Sequence, residues 1–212
     1  MIKLDPHIHT LYSGDSKNIP DDIVKIAKKR GLDAIAITDH NTIKGYEVIA
    51  KRNIEDILII PGIEISTREG HIVALGITEE IEKYLSAEET LERIRDLGGV
   101  AIAPHPFDKL RDSLGSTVKN LNFDAIEVLN GRCVSIGNLR AKKFAKKRNI
   151  PEIGASDAHF PEEIGACITI VDTHSGIDDI LDAIQKGKTS AKANSSYHKR
   201  LYNVVNNLLK RG

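Results

Sequence analysis

Two histidines separated by a single residue, His7 and His9, end an apolar run near the start of the chain. Side chains alternate between the two faces of a strand, so residues two apart point the same way. Both imidazoles can therefore reach one object, and imidazole is the commonest protein ligand for a transition metal. In an isolated pair of this kind, one histidine is more often buried in the core and the other exposed. Whether this pair binds a metal therefore has to be judged from the other residues of the chain.

Other apolar runs also end in polar residues of the same types. Six of the eight histidines lie at or beside strand ends, together with Glu64 and Asp157: His7, His9, His40, His71, His105 and His159. Function in barrels and open α/β sheets collects at the carboxyl ends of parallel strands. Imidazole and carboxylate without thiolate indicate zinc, manganese or iron. The set is too large for one tetrahedral ion, so we expect two or three divalent ions, a usual device for hydrolysing phosphate esters.

The elements that must position these residues alternate between strand and helix patterns. Eight apolar runs predict strands: Ile2–Ile8, Ala34–Thr38, Ile57–Ile65, Ile72–Ile77, Val100–Ala103, Ala125–Leu129, Glu152–Ala155 and Ala166–Val171. Alternation of this kind predicts a largely parallel sheet, doubly wound or closed, and the number of strands favours a barrel. The join at 66–70 is too short for a crossover helix, so we predict a hairpin there.

Length and composition fit one α/β domain over residues 1–212. Of the 212 residues 41% are hydrophobic and 28% charged, and the net charge is zero, which argues against a generic nucleic-acid binder. Cys133 and Cys167 do not suggest a disulfide framework. No leader or membrane-spanning run is evident, so a cytoplasmic location without membrane association is expected.

The last stretch, from Lys186 to Gly212, contains seven Lys or Arg residues and no acidic one. Apolar residues repeat at helical spacing within it, which predicts a basic amphipathic helix over 196–212. The favoured interpretation is a closing helix that docks on the barrel. The alternatives are a homo-oligomer interface, or a basic rim for a polyanion formed by Lys192, Lys199 and Arg200.

Several motifs together resemble those of the PHP family, which is named for its polymerase-associated and histidinol-phosphatase members. They are Asp5-x-His7-x-His9-Thr10, Thr38-Asp39-His40, Gly62-x-Glu64, His105-Pro106 and Ser156-Asp157-x-His159. The resemblance covers about residues 2 to 190. It implies a distorted (β/α)7 barrel of the PHP type, a trinuclear metal centre and hydrolysis of phosphomonoesters or phosphodiesters.

The resemblance also implies an assignment of ligands to three ions. One ion would be held by His7, His9, Glu64 and Asp157; Glu64 would bridge to a second held by His71 and His105; a third would be held by Asp15, His40 and His159. Asp15 stands one place later than the acid of many relatives. His71 opens its strand, and the predicted hairpin folds it back toward Glu64.

The remaining candidates are expected to support the ligands or the substrate. Asp5 and Asp39 either orient ligand imidazoles or are simple turn acids. Asn130 is favoured over the mid-strand Glu127 as a group facing the site. Lys44 and Arg132 follow strand ends and either neutralise a phosphate or are surface charges. Two residues are also assigned catalytic roles: Asp157, or a neighbouring histidine, as a general base, and His159 in assisting the leaving group.

The favoured function is therefore a metal-dependent phosphoesterase acting on a phosphorylated small molecule or a short nucleic-acid end. An open mouth favours nucleotide-like substrates and oligonucleotide ends over histidinol phosphate. A metal amidohydrolase is the second interpretation, but Glu64 stands where such enzymes generally have a carboxylated lysine. The third is a non-catalytic, metal-stabilised PHP binding module, which the full set of ligand types disfavours.

Overall fold

The computed structural model describes residues 1–52, 54–174 and 176–194. Nine strands occur in these ranges: β1 (Ile2–Ile8), β2 (Ala34–Ile37), β3 (Leu58–Ser66), β4 (His71–Leu75), β5 (Val100–Ala103), β6 (Ala125–Asn130), β7 (Glu152–Ala155), β8 (Cys167–Val171) and β9 (Thr189–Ala193). The α-helices are α1 (Pro20–Lys29), α2 (Lys44–Ala50), α3 (Ala87–Asp96), α4 (Ser135–Arg148) and α5 (Ile177–Gln185). Short 3₁₀ helices occupy Leu11–Ser13 and Thr117–Asn120.

The strands form one mixed sheet in the order β7-β6-β5-β4-β3-β2-β1-β8-β9. Pairing is parallel from β1 to β3 and from β5 to β7, but β4 is antiparallel to both of its neighbours. The predicted hairpin is confirmed, and Ser66 pairs with His71. The predicted barrel-like α/β class is also confirmed. The chain departs from a plain repeat of seven strand–helix units because β3 and β4 have no helix between them and β8 and β9 add an antiparallel edge.

The two ends of the sheet approach each other, so the barrel is nearly closed. The segment after β7 reaches β1, where the His9 amide donates to the Ala158 carbonyl oxygen at 3.0 Å. The Thr169 hydroxyl on β8 lies 3.1 Å from the amide nitrogen and 2.7 Å from the carbonyl oxygen of Gly154 on β7. A Cβ atom at Gly154 would lie only 2.6 Å from the Ile168 carbonyl oxygen, so glycine is required for this approach.

Strand alternation divides the apolar residues between the barrel interior and the helices around it. On β2, Ala34 and Ala36 belong to the same buried cluster as Ile180 of α5, whereas Ile35 packs with Ile23 of α1. Leu4 near the start of β1 also joins the interior cluster. Apolar residues therefore fill the region near the strand starts and leave the carboxyl ends to polar side chains.

Local signals explain where the predicted helices begin. Pro20 is the first residue of α1, and Ser86 caps α3 with both hydrogen bonds of a capping box to Glu89. The predicted start at Ser175 lies outside the described residues. The sequence patterns missed α2 and β9; β9 has small and polar residues, and its order comes from pairing with β8.

Other predictions about the whole chain have mixed outcomes. Cys133 and Cys167 are free thiols, as expected. Within the described ranges, no helix is both long and apolar enough to cross a membrane. The predicted helix 196–212, its proposed role in oligomerisation, and Lys199 and Arg200 lie outside the described residues. Lys192 is exposed on β9.

Candidate metal centre

All nine predicted ligands come together at the carboxyl ends of the barrel strands. His7 lies near the end of β1 and His9 directly follows it, His40 follows β2, and Glu64 lies near the end of β3. The remaining predicted ligands are contributed by four other segments: Asp15, His71, His105, Asp157 and His159. In three groups of described residues the candidate ligand atoms lie within 4.8 Å of one another: His7, His9 and Glu64; His40, Glu64 and His71; and His9, Asp15, His40 and His159.

The first cluster is formed by His7, His9, Glu64 and Asp157. The Nε2 atoms of His7 and His9 are 2.9 Å apart, and Glu64 Oε2 lies 3.2 and 3.1 Å from them. Asp157 Oδ1 lies 3.8 Å from His7 Nε2 and 3.5 Å from His9 Nε2. Ligands about 2.0–2.1 Å from a tetrahedral ion are separated by about 3.3 Å. The His7, His9 and Glu64 atoms have this spacing, whereas Asp157 lies farther out and does not belong to the same close group.

Hydrogen bonds fix the tautomers of both histidines. His7 Nδ1–H donates to Glu127 Oε1 at 2.8 Å, since a carboxylate only accepts. The Ser13 hydroxyl donates to Asp39 Oδ1 at 2.9 Å, so it accepts from His9 Nδ1–H at 2.8 Å. When the rings are neutral, each Nε2 therefore presents a lone pair, and two lone pairs facing each other at this distance fit a shared cation, either a proton or a metal ion.

The second cluster uses the other oxygen of Glu64. His71 Nδ1 lies 3.1 Å and His105 Nε2 lies 3.2 Å from Glu64 Oε1. Glu64 is 1% exposed and presents one oxygen to each of two clusters, which is the arrangement of a bridging carboxylate. The position of His71 is a direct consequence of the β3–β4 hairpin.

The third cluster lies nearer to solvent. Asp15 Oδ2 is 3.1 Å from His159 Nε2 and 3.5 Å from His40 Nε2. His159 Nδ1–H donates to the Asp157 carbonyl oxygen at 3.0 Å, so His159 Nε2 carries the free lone pair. His40 Nδ1 is buried without a hydrogen-bond partner and lies 3.3 Å from Glu64 Oε2. A donor set of this chemistry fits a divalent ion.

Electrostatics favour positive charge at the centre of the site. Burial alone would raise the pKa of Glu64, but His7 and His71 hold it well below its usual range. Burial would likewise raise the pKa of Asp157, but it too is held well below its usual value, first by His7 and then by His9. Both carboxylates are therefore ionised, as metal binding requires.

The histidine pKa values follow the same charges. Burial opposes protonation of His7 and His9, yet the nearby carboxylates raise the pKa of His7 well above its usual value and that of His9 to about 9. Burial and the charge of His9 lower the pKa of His159 to about 4, and burial lowers the pKa of His40. The inner pair therefore holds positive charge as a proton at neutral pH, which a divalent ion would have to displace, whereas the outer histidines are neutral and ready to act as ligands.

Two of the candidate ligands have strained backbone conformations. His105 has φ 29° and Asp157 has φ 55°, both in the left-handed region that non-glycine residues rarely adopt. Conformations of this kind cost about 1–3 kcal/mol each and persist where surrounding contacts enforce them. Glu127 Oε2 accepts from the His105 amide at 3.0 Å, which holds one of these turns.

The supporting residues differ in part from the predictions. Asp39 orients His9 through Ser13, as predicted for an acid behind a ligand. Asp5 instead accepts from the amides of Ser156 and Gly165 at 3.0 and 2.7 Å, so it fixes the backbone between β7 and β8 and does not bind an imidazole side chain.

Of the two cations predicted to bind phosphate, one lies at the site and the other does not. Arg132 lines the site cavity, near Glu163. Lys44 is exposed at the start of α2 and is not among the described residues that line this cavity. Asn130 faces the site as predicted, and its Nδ2 donates to Asp157 Oδ2 at 3.1 Å.

Sequence reasoning undervalued or missed three residues. Glu127 supports His7, but a register shift between Glu127 and Leu129 disturbs the alternation that would have shown its direction. Ser13 supports His9 from a 3₁₀ helix that has no strong sequence signal. Arg111 lies in the loop after β5 and forms ion pairs with Asp157 and Asp108, and no periodic pattern marks this loop.

The clusters line a cavity of about 630 Å³. Its wall combines seven of the predicted ligands with cations from two loops, Lys109 and Arg111 after β5 and Arg132 after β6. An anionic substrate that enters it meets guanidinium and ammonium groups beside the candidate ligands. The cavity is therefore suited to a phosphate group or another small anion.

Relatives of the chain include proteins described as probable phosphatases. It is 42% identical over 159 residues to the uncharacterized protein MJ1587 of Methanocaldococcus jannaschii, covering 69% of this chain and 93% of the relative. It is 26% identical over 206 residues to a probable phosphatase of Caldicellulosiruptor saccharolyticus, covering 78% and 84%. A family model described as PHP-associated matches residues 135–189, from α4 to β9.

Solved structures share the fold. A two-domain protein from Bacteroides vulgatus, described as containing a predicted PHP-like metal-dependent phosphoesterase, has a TM-score of 0.78 at 22% identity. The match covers 91% of this chain and 65% of that one, which is less than two thirds of its length. A protein from Chromobacterium violaceum described as an amidohydrolase with bound sulfate has a TM-score of 0.65 at 17% identity, covering 91% and 99%.

Three observations indicate the same family. They are the nearly closed mixed barrel, the histidines and carboxylates at its strand ends, and the similarity to these relatives and structures. The sequence motifs that resemble the PHP family are the same segments that the fold brings together. The chain is a member of the PHP family.

Proposed function

We propose that this protein is a metal-dependent phosphoesterase. The observation that carries the proposal is the position of Glu64, whose two oxygens face two different groups of histidines. Two ions bridged by a carboxylate are a common arrangement for phosphate-ester hydrolysis. The descriptions of the Bacteroides structure and of the Caldicellulosiruptor relative support the same class of reaction.

We propose that two or three divalent ions bind, with zinc, manganese or iron suited to the imidazole and carboxylate donors. The first would be held by His7, His9, Glu64 and Asp157, the second by Glu64, His71 and His105, and the third by Asp15, His40 and His159. Divalent ions supply Lewis acidity, which polarises a phosphoryl oxygen and lowers the pKa of water.

The protein side chains position the reactants in this proposal. Asp157 directs Oδ1 toward His7 and His9 and receives Arg111 and Asn130 on Oδ2. Both nitrogens of His159 have partners, and Nε2 faces Asp15. We therefore assign Asp157 and His159 to catalysis as ligands and not as proton carriers. Arg111 and Arg132 lie where they can bind phosphoryl oxygens by charge-assisted hydrogen bonds.

Nucleotide-like monoesters and oligonucleotide ends remain the proposed substrates, ahead of histidinol phosphate. The cations around the cavity favour a substrate with more than one negative group. The cytoplasm would supply such substrates and a reducing environment for the two free thiols.

The test is a hydrolysis screen of protein loaded in turn with Mn²⁺, Zn²⁺ and Fe²⁺. p-Nitrophenyl phosphate, a thymidine p-nitrophenyl diester, AMP and histidinol phosphate would be compared with wild type, His9→Ala and the exposed control His174→Ala. We expect turnover by wild type and His174→Ala and a loss of at least a thousandfold in His9→Ala. Equal turnover in all three proteins would refute the site, and histidinol phosphate turning over a hundredfold faster than any nucleotide would refute the substrate order.

A metal amidohydrolase is the second candidate because one structure with this fold is described as an amidohydrolase. A panel of amides and lactams in the same screen separates the two. Metal-dependent amide cleavage without phosphoester turnover would favour that reading, whereas metal binding without any turnover would favour a binding module.

A further inference from the structure

A second cavity adjoins the candidate metal centre. It has a volume of about 850 Å³ and lies between the loop after β5 and helix α4. Lys109 and Arg111 line both this cavity and the metal-site cavity, so the two are neighbours along one surface. Arg111 lies between the two cavities and forms ion pairs with Asp157 of the metal-site cavity and with Asp108 of the second cavity.

The floor of this second cavity is aromatic. Phe107 and Phe144 are in edge-to-face contact, with ring centroids 5.7 Å apart and an interplanar angle of 78°. Both rings line the cavity and are only partly buried. A flat, apolar group therefore has a preformed surface on which to lie.

The rim of the cavity is cationic. Lys109, Lys119, Arg140 and Lys143 line it, and none of the four forms an ion pair with another residue in the described ranges. The acid in the wall, Asp108, is 3% exposed and already paired with Arg111. Four uncompensated cations around an aromatic floor are complementary to a ligand that combines a flat ring with negative groups.

The walls of the cavity are held in place by close packing. A Cβ atom at Gly137 of α4 would lie 2.5 Å from Cys133 Sγ and 3.3 Å from the Phe107 carbonyl oxygen. The helix therefore sits directly against the loop that carries His105 and Phe107. The distance between the aromatic floor and the ligands of the second ion cluster is fixed by the same segment of chain.

We infer that this cavity binds a single-stranded oligonucleotide whose terminal phosphate lies in the metal-site cavity. The part of the oligonucleotide next to that phosphate, which is the leaving group of the reaction, would contact Phe107, Lys109, Lys119, Arg140, Lys143 and Phe144. A base rests on the aromatic floor, and the next phosphates contact the cationic rim. The inference rests on the proposed phosphoesterase function for its reaction but not for its binding. It places oligonucleotide specificity on α4 and the loop after β5.

Binding is tested on metal-loaded protein with a hexathymidylate that has phosphorothioate linkages and fluorescein on an internal base. We expect Arg140→Ala/Lys143→Ala to raise its Kd at least tenfold by fluorescence anisotropy. The matched control Lys142→Ala/Lys146→Ala removes the same charge from α4 at positions that do not line the cavity, and it should stay within twofold of wild type. Equal weakening in both double variants would overturn the inference, as would tripolyphosphate displacing the probe as well as unlabelled oligonucleotide does.

Hydrolysis supplies the second readout. The kcat/KM for a pentanucleotide with a terminal phosphate should fall at least tenfold more in the Arg140→Ala/Lys143→Ala variant than the kcat/KM for p-nitrophenyl phosphate. The fall should come from a higher KM and not from a lower kcat. Selective probe binding without turnover of any ester would leave the cavity assignment standing and refute the proposed function. Turnover of small esters without selective probe binding would support the proposed function and refute the cavity assignment.

Discussion

His7 Nε2 and His9 Nε2 face each other at 2.9 Å in the buried centre of the barrel mouth. Their Nδ1 atoms are hydrogen-bonded to Glu127 and Ser13, so in the neutral rings both Nε2 atoms carry lone pairs, and a proton or a metal ion can lie between them. Two such lone pairs repel unless a positive charge lies between or beside them. The charged oxygens of Glu64 and Asp157 at the same point explain how a cation would be held.

The support of His7 by Glu127 can be tested with Glu127→Gln. The amide would place an NH₂ group against one of three donors, which are His7 Nδ1, the His105 amide and Asn130 Nδ2. We expect the affinity for divalent ions to fall about 10- to 100-fold. Competition with a chromogenic chelator measures this, with exposed Glu92→Gln as the control; equal affinities for the two variants would remove Glu127 from the site.

Arg111 should have opposite effects on metal and phosphate. Its charge lies against Asp157, so Arg111→Gln removes a repulsion and should raise the affinity for divalent ions about fivefold. The same change removes a charge-assisted donor and should weaken inhibition by inorganic phosphate about 10- to 100-fold. Chelator competition and product-inhibition assays give the two values, with exposed Arg95→Gln as the control. A parallel loss of both affinities would mean that Arg111 mainly stabilises the loop.

Asp5 should make stability fall as pH rises. Complete burial raises the pKa of Asp5 from 3.8 to about 6, against the hydrogen bonds from Ser156 and Gly165. Because the folded state binds the proton more tightly than the unfolded state, this stabilisation is present below pH 3.8 and lost as pH passes through about 6. The free energy of unfolding of wild type minus that of Asp5→Asn should fall by about 3 kcal/mol across this window. Chemical denaturation of chelator-treated proteins measures it, and parallel pH profiles would contradict the assignment.

The sequence was sufficient to predict which residues meet at the mouth of the barrel because their signal is local. A residue's place at the end of an apolar run fixes the edge of the sheet to which it belongs, and spacing by two fixes the face, as for His7 and His9. His71 needed one further step, the short hairpin that returns β4 to β3.

The residues that support the ligands depend on tertiary contacts that no local pattern encodes. Glu127 sits beside a register shift, Arg111 reaches Asp157 across 46 positions of sequence, and Asp5 reaches Gly165 across 160. β9 is ordered by its pairing with β8, since its own residues have little apolar character.

The most direct test of the central claim is metal content measured by mass spectrometry on protein purified without chelators and reloaded with Mn²⁺ or Zn²⁺. We expect two to three equivalents per chain in wild type, a loss of at least one equivalent in His9→Ala with the folded circular dichroism spectrum retained, and hydrolysis that rises with metal content. Less than one equivalent in wild type, or full hydrolysis after complete removal of metal, would contradict the account.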